Sequence, residues 1–372
     1  MERLLKLVLI VIVFAFTDLS AQSRTYTVEV IDGVRHVHII SPLWGDEERI
    51  KLEFVQKLGV LEGYDDNYMF HAPSDVVEDT DRMIYILEYG NKRVQKFTPD
   101  GKYVLTIGNE GDGPGEFRYP IFMDIDSENN LYVARVSAGV QKLTREGKYL
   151  KSFLLPTHFP VFRILRSGNI VFQVRENYRD PLKNCVLGIC TDDGEVITEF
   201  GEKRDFPGIQ DARSGNSLSI AVDPSDNIIV SFFHQNRIEK YTPDGRLIFR
   251  LDRPLNYELT VKMEDRSFTG PDGTTYSSKI PEYSWVSSGV GFDHKGRIWD
   301  LFITKQPEDR REKCVEHMEF YVYNSEGVLL TKVPIPDPDF FAIENLRIHG
   351  DHIYFMDPKH EESVYQYRIV EK

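Results

Sequence analysis

Three histidines carry the most demanding chemistry this sequence could perform. If their imidazoles converged, His71, His158 and His234 would hold a zinc ion and leave one position open for water, the arrangement of a catalytic site. They occupy dissimilar places, one leading into a strand, one on a crossing and one in a loop, so convergence is not built into the pattern. Glu88 and Asp357 are the corresponding candidates for calcium. Equivalent positions elsewhere hold Arg135, Val174, Phe232 and Leu301, whereas calcium takes about six to eight oxygens. A third group is aromatic. Tyr178, Phe233, Tyr283 and Trp285, with Arg135, Arg175 and His234, could form a platform for a sugar ring or an extended peptide, because aromatic faces give contact area at small entropic cost. Short catalytic signatures such as Gly-x-Ser-x-Gly and His-Glu-x-x-His are absent. Gly111-Asp112-Gly113-Pro114-Gly115 has the composition of a phosphate loop but lacks its lysine and hydroxyl, so it reads as a crossing. No cofactor is expected; zinc or calcium enters only if the chain is an enzyme.

Whatever these residues do, a repeated unit must position them. Gln95-Lys96-Phe97-Thr98-Pro99-Asp100-Gly101-Lys102 returns as Glu239-Lys240-Tyr241-Thr242-Pro243-Asp244-Gly245-Arg246, and weaker copies carry Gly147, Gly194 and Gly327. Self-similarity at this period denotes a repeat architecture. Each glycine closes a hairpin between strands rich in β-branched and aromatic residues, and a second hairpin with an apolar second strand precedes it. The count is six units of four strands at about 71–108, 119–155, 160–200, 216–252, 286–334 and 341–370. This predicts an all-β, six-bladed β-propeller of antiparallel blades. The last unit lacks a fourth strand, and residues 50–61 alternate apolar and polar in a way that supplies one. Pairing the two ends would close the ring over residues 50–372 and remove a sheet edge. Segment 252–285 is too short for a seventh blade and lacks an apolar inner strand, so it reads as an excursion.

The ends and the charge narrow the setting. Residues 1–21 combine Arg3 and Lys6, an apolar run at 7–16 and small residues ending at Ala21, which describes a secretory signal peptide cut after Ala21. The run is too short for a membrane span, and residues 22–49 read as a lead-in. A secreted or periplasmic, monomeric protein is expected, without stable membrane insertion. A formal charge of −14 repels phosphate backbones, so nucleic acid is not an expected partner. Cys185, Cys190 and Cys314 are too few for a disulfide framework.

Asp75, Asn91-Lys92-Arg93-Val94-Gln95-Lys96-Phe97, Pro99-Asp100-Gly101-Lys102 and Gly111 to Phe117 with Pro120 resemble an NHL repeat, and 235–245 resembles a second copy. The chain is similar to secreted six-bladed propellers of that type from Bacteroidetes, many without assigned activity. The resemblance implies the fold and leaves function open, because such scaffolds host binding modules and enzymes alike. Topology adds a direction. The a–b and c–d turns are short, while 109–119, 175–183, 201–215, 252–285 and 305–316 all belong to the other face, which marks the binding face. The sequence therefore reads as a non-catalytic module recognising a protein or glycan through that face, with a metal-dependent lyase or hydrolase at the channel mouth as the alternative.

Overall fold

A computed structural model describes residues 24–136, 139–157, 159–175, 184–206, 214–269, 274–307, 314–336, 346–357 and 362–372. The leader assigned to 1–21 lies outside them. The described chain opens with β1 (Tyr26–Ile31), β2 (Val34–Ile39) and β3 (Ile50–Leu58). Blade 1 holds β4 (Pro73–Glu78), β5 (Ile84–Glu88), β6 (Arg93–Phe97) and β7 (Tyr103–Ile107). Blade 2 holds β8 (Pro120–Ile125), β9 (Leu131–Arg135), β10 (Gly139–Leu143) and β11 (Tyr149–Leu154). Blade 3 holds β12 (Phe162–Ile164), β13 (Ile170–Gln173), β14 (Cys185–Cys190) and β15 (Val196–Glu202). Blade 4 holds β16 (Leu218–Val222), β17 (Ile228–Phe232), β18 (Ile238–Tyr241) and β19 (Leu247–Asp252). The excursion is a hairpin of β20 (Val261–Thr269) and β21 (Thr275–Tyr283). Blade 5 holds β22 (Ser287–Phe292), β23 (Ile298–Ile303), β24 (Met318–Tyr323) and β25 (Leu329–Pro334). Blade 6 has β26 (Arg347–His349), β27 (His352–Asp357) and β28 (Ser363–Glu371), with β3 as its fourth strand.

The first strands of successive blades touch all the way round, from β4 through β8, β12, β16, β22 and β26 back to β4, and form the inner wall. The repeated turn builds each blade's outer hairpin. Thr98, Thr144, Thr191, Thr242 and Asn324 each accept from the glycine amide three residues on and donate to a carbonyl four on. Every glycine in that set has a φ between 79° and 88°, which a side chain would resist. On the same face, Asp79, Asp126, Asp223 and Asp293 cap the inner turns by accepting backbone amides at 2.8–3.1 Å.

Stability comes from between the blades. Val77, Tyr85 and Leu87 of blade 1 pack on Met123, Leu131 and Val133 of blade 2, and comparable layers fill each junction round to blades 6 and 1, where Tyr354, Met356 and Val364 meet Val76, Ile84 and Phe97. Closure follows the expected route. β3 runs antiparallel to β28 from Glu371↔Ile50 to Val364↔Leu58, and Ile50 and Leu58 are buried. Cys185 and Cys190 stand at the two ends of β14, and Cys190 is a buried thiol.

Residues 22–49, expected only as a lead-in, do more. β1 and β2 form a hairpin, and β2 pairs in parallel with β19 (Phe249↔Arg35, Leu251↔Val37), so the blade 4 sheet has six strands. The signal is legible in Asp32-Gly33, a dipeptide with φ values of 51° and 82° that suits a two-residue hairpin turn. The chain then follows blade 5, with Leu43 and Trp44 amides donating to Leu329 and Leu330 carbonyls, before entering blade 6 as β3.

His38 fastens this clasp, with Nδ1 2.6 Å from Asp252 and Nε2 3.2 Å from Glu29. Burial lowers its pKa, but the two carboxylates outweigh that, and the net shift is upward. A raised folded-state pKa stabilises fully below the unfolded value near 6.5 and is lost as pH rises through the folded value. Amide exchange in β1 and β2 will therefore accelerate, relative to the blades, as pH rises above neutrality. The same pH step in His38→Gln will leave that ratio unchanged. An equal response in both proteins would remove His38 from the account.

Candidate functional site

The aromatic group is the one the fold assembles. Phe233 and His234 follow β17 in blade 4, while Tyr283 and Trp285 end the excursion and lead into blade 5. The Val286 amide donates to the Phe233 carbonyl at 2.7 Å and joins the two segments. His234 then lies 4.6 Å from the Trp285 ring and 5.2 Å from that of Tyr283, and Phe233 lies 6.1 Å from Trp285. Behind them Tyr283, 6 % exposed, packs edge-on against Phe206 at 5.0 Å. Trp285 is 45 % exposed and supplies the outer face. Its backbone is fixed by Gln306 on both sides and by Tyr257.

Arg175 belongs to the same neighbourhood. Its Nη2 donates to Ser217 Oγ at 3.2 Å, and the Ser217 carbonyl accepts from the Phe233 amide. The guanidinium also lies 4.7 Å from the Phe159 ring centroid, a geometry for cation–π attraction. Burial lowers the pKa of His234, and Nδ1–H donating to the Ser284 carbonyl opposes that only in part. Burial thus favours the uncharged ring, and the bond to Ser284 orients it. The surface is aromatic, with hydrogen-bonding groups at its margin, a composition that can stack and orient a planar or ring-shaped group.

Several candidates sit elsewhere. Glu88 is fully buried and accepts from the His71 amide, Asn91 Nδ2 and Arg93 Nε at 2.5–2.9 Å. Burial raises its pKa against the opposing effect of Arg93. Through these bonds it staples the loop after β5. Asp357 is likewise buried at the end of β27. Arg135 is exposed beside the crossing between blades 1 and 2, with Nη1 3.3 Å from Asp112. Tyr178 and His158 lie outside the described residues. His71 is exposed, 3.5 Å from Glu362, in blade 1, while His234 is in blade 4 on the opposite side of the ring. Among the described residues, no group of three or more His, Cys, Asp or Glu is placed to hold a metal ion.

Two charged features escape any motif. Arg253, at the root of the excursion, is fully buried and pairs with Asp300 of β23, whose carboxylate also accepts from Ser231 and Ser287 at 2.7 Å. This pair pins the segment carrying Tyr283 and Trp285. Near the axis, Arg347 of β26 grips Asp75 of β4 and also reaches the Met123 carbonyl of β8. Arg163 of β12 stands close by. Burial first, and then Arg347, lower its pKa to about 10.

The model of DUF5128, a family described as 6-bladed β-propeller, matches residues 61–248, half of the chain. The chain belongs to that family. Its matched part runs from blade 1 into the last strand of blade 4 of this DUF5128 propeller. Among solved structures, a member of the DUF4221 family from Bacteroides vulgatus is similar with a TM-score of 0.60, at 10 % identity over 88 % of this chain and 100 % of that one. A protein of Bacteroides fragilis described as exported has a TM-score of 0.56, at 13 % identity over 90 % and 98 %. Virginiamycin B lyase from Staphylococcus aureus reaches only 0.47, at 14 % identity over 86 % and 100 %. Such identities speak for the fold alone, and the last value is too low to carry any argument about chemistry. No curated protein matches the DUF5128 chain. Among the described residues, no helix is long and apolar enough to cross a membrane.

Proposed function

We propose that this protein is an exported recognition module without catalytic activity, binding a protein or glycan through the aromatic surface above blade 4. One observation carries the reading: Phe233, His234, Tyr283 and Trp285 come from two distant segments yet form one stack, and its outermost member stays 45 % exposed. Burying Trp285 would contribute apolar stabilisation, so leaving it in water over a pre-ordered base favours a contact with a ligand. Export is supported by the apolar run at 7–16 with small residues after it ending at Ala21, and by the fold likeness to a protein described as exported.

The test is a panel of immobilised glycans and peptides probed with the wild type, its hits retested with Trp285→Ala. A central Trp contact costs about 2 kcal/mol or more, so affinity will fall roughly 30-fold. Thermal unfolding will stay unchanged, because the side chain is largely outside the core. Undiminished binding of every panel ligand by the variant, or turnover of a panel ligand, would overturn the reading. So would stoichiometric zinc or calcium in protein purified without chelator.

A further inference from the structure

The crossing between blades 1 and 2 carries a second, differently built surface. Tyr89 follows β5 and Tyr119 precedes β8; their ring centroids are 6.1 Å apart, their planes 31° apart, and they are 37 % and 51 % exposed. Both are held firmly. Tyr119 has a φ of +53°, costly for a bulky side chain, and its carbonyl accepts from the Val136 amide at 3.1 Å. Lys92, itself at φ +58°, donates to the carbonyls of Tyr89 and Gly90 and places its ammonium 4.7 Å and 5.8 Å from the two ring centroids. Both rings thus stand in water on backbone fixed at the rim.

Beside this ledge opens a cleft of about 120 Å³, lined by Phe117, Arg118, Arg135 and Val140. Drug-sized pockets run about 300–1,000 Å³, so it has room for one small ring. Arg118 and Arg135 share a single carboxylate, Asp112, at 2.8 Å and 3.3 Å. The other acid at the rim, Glu116, is committed to its own loop and accepts from the Gly113 amide at 2.9 Å. Lys92, Arg118 and Arg135 therefore outnumber Asp112 and Glu116 on a chain whose formal charge is −14. Gly139 belongs to the same design: a Cβ there would lie 2.6 Å from Arg135 Nε, so only glycine leaves that guanidinium in place.

We propose that this crossing binds an acidic sugar, with the C–H face of a uronic-acid ring on Tyr89 and Tyr119 and its carboxylate on Arg118 and Arg135. Guanidinium forks bind carboxylates through paired hydrogen bonds, and aromatic faces take the apolar side of a ring. The site is separate from the Trp285 surface and does not depend on it.

Titration calorimetry with trimers of galacturonate, mannuronate and glucuronate, against the neutral trimers of galactose, mannose and glucose, decides the matter. At least one acidic trimer will bind, its neutral counterpart at least tenfold more weakly, and added salt will narrow the gap. Tyr119→Ala and Arg135→Ala will each lower that affinity at least tenfold, and Gly139→Ala will lower it by displacing Arg135. All three unfold at the wild-type temperature, and Trp285→Ala binds the acidic trimer as the wild type does. Failure of every acidic trimer, equal binding of the neutral ones, or indifference to Arg135→Ala each overturns the proposal. So does an equally strong, variant-sensitive response to an oligoglutamate peptide, which would make this a peptide site.

Discussion

A chain lacking residues 22–61 will not fold cooperatively and will be recovered as aggregate. The deletion strips β28 of its partner along eight residues, from Val364 to Glu371, and leaves an unpaired edge open to other chains. It also removes Ile50 and Leu58 from the layers joining blades 5, 6 and 1, losses of about 2–5 kcal/mol each on the scale of large-to-small core changes. Joining residues 49–61 after Lys372 by a short linker will restore the closing strand and with it a folded ring. Glu371 pairs with Ile50, so this segment already starts beside the C-terminus, and pairing depends on register rather than chain order. A deleted chain that unfolds in one reversible transition would dismiss this account of closure.

Arg347→Met will cost about 3–5 kcal/mol in denaturant unfolding. Arg347 contacts Asp75 through both Nε and Nη2, and Nη2 also reaches the Met123 carbonyl at 2.7 Å, so one side chain joins blades 6, 1 and 2 at the inner wall. Both ionic partners are buried. Burial opposes the guanidinium charge, but Asp75 prevails and its pKa is raised. Removing the arginine strands a buried carboxylate whose remaining hydrogen bonds, among the described residues, come from the amides of Val76 and Met123. The double variant Asp75→Leu/Arg347→Met will recover part of the loss, because no uncompensated charge remains. A single variant less than about 1 kcal/mol below wild type would mean that the pair does not hold the ring together.

These results divide what was readable from what was not. The turn with Gly101, Gly147, Gly194, Gly245 and Gly327 recurs because each copy meets the same local requirement, a left-handed residue closing a two-stranded hairpin. Local requirements are written in contiguous residues, so the blade count, the excursion and the partnership of β3 with β28 could all be derived from pattern. The same holds for the face bearing Phe233, His234, Tyr283 and Trp285, since loop lengths alone divide one face from the other.

Packing decided the rest. Glu88 looks like a channel carboxylate in sequence, but His71, Asn91 and Arg93 turn it inward, and nothing nearby in the chain announces their angle. Arg253 meets Asp300, and Arg347 meets Asp75, only after blades have stacked into a ring. Tyr89 and Tyr119 become neighbours because two strands of adjacent blades end at one rim. Hairpins obey short-range geometry that sequence can state, whereas contacts between blades depend on how six similar sheets are rotated about an axis, and only the folded ring fixes that rotation.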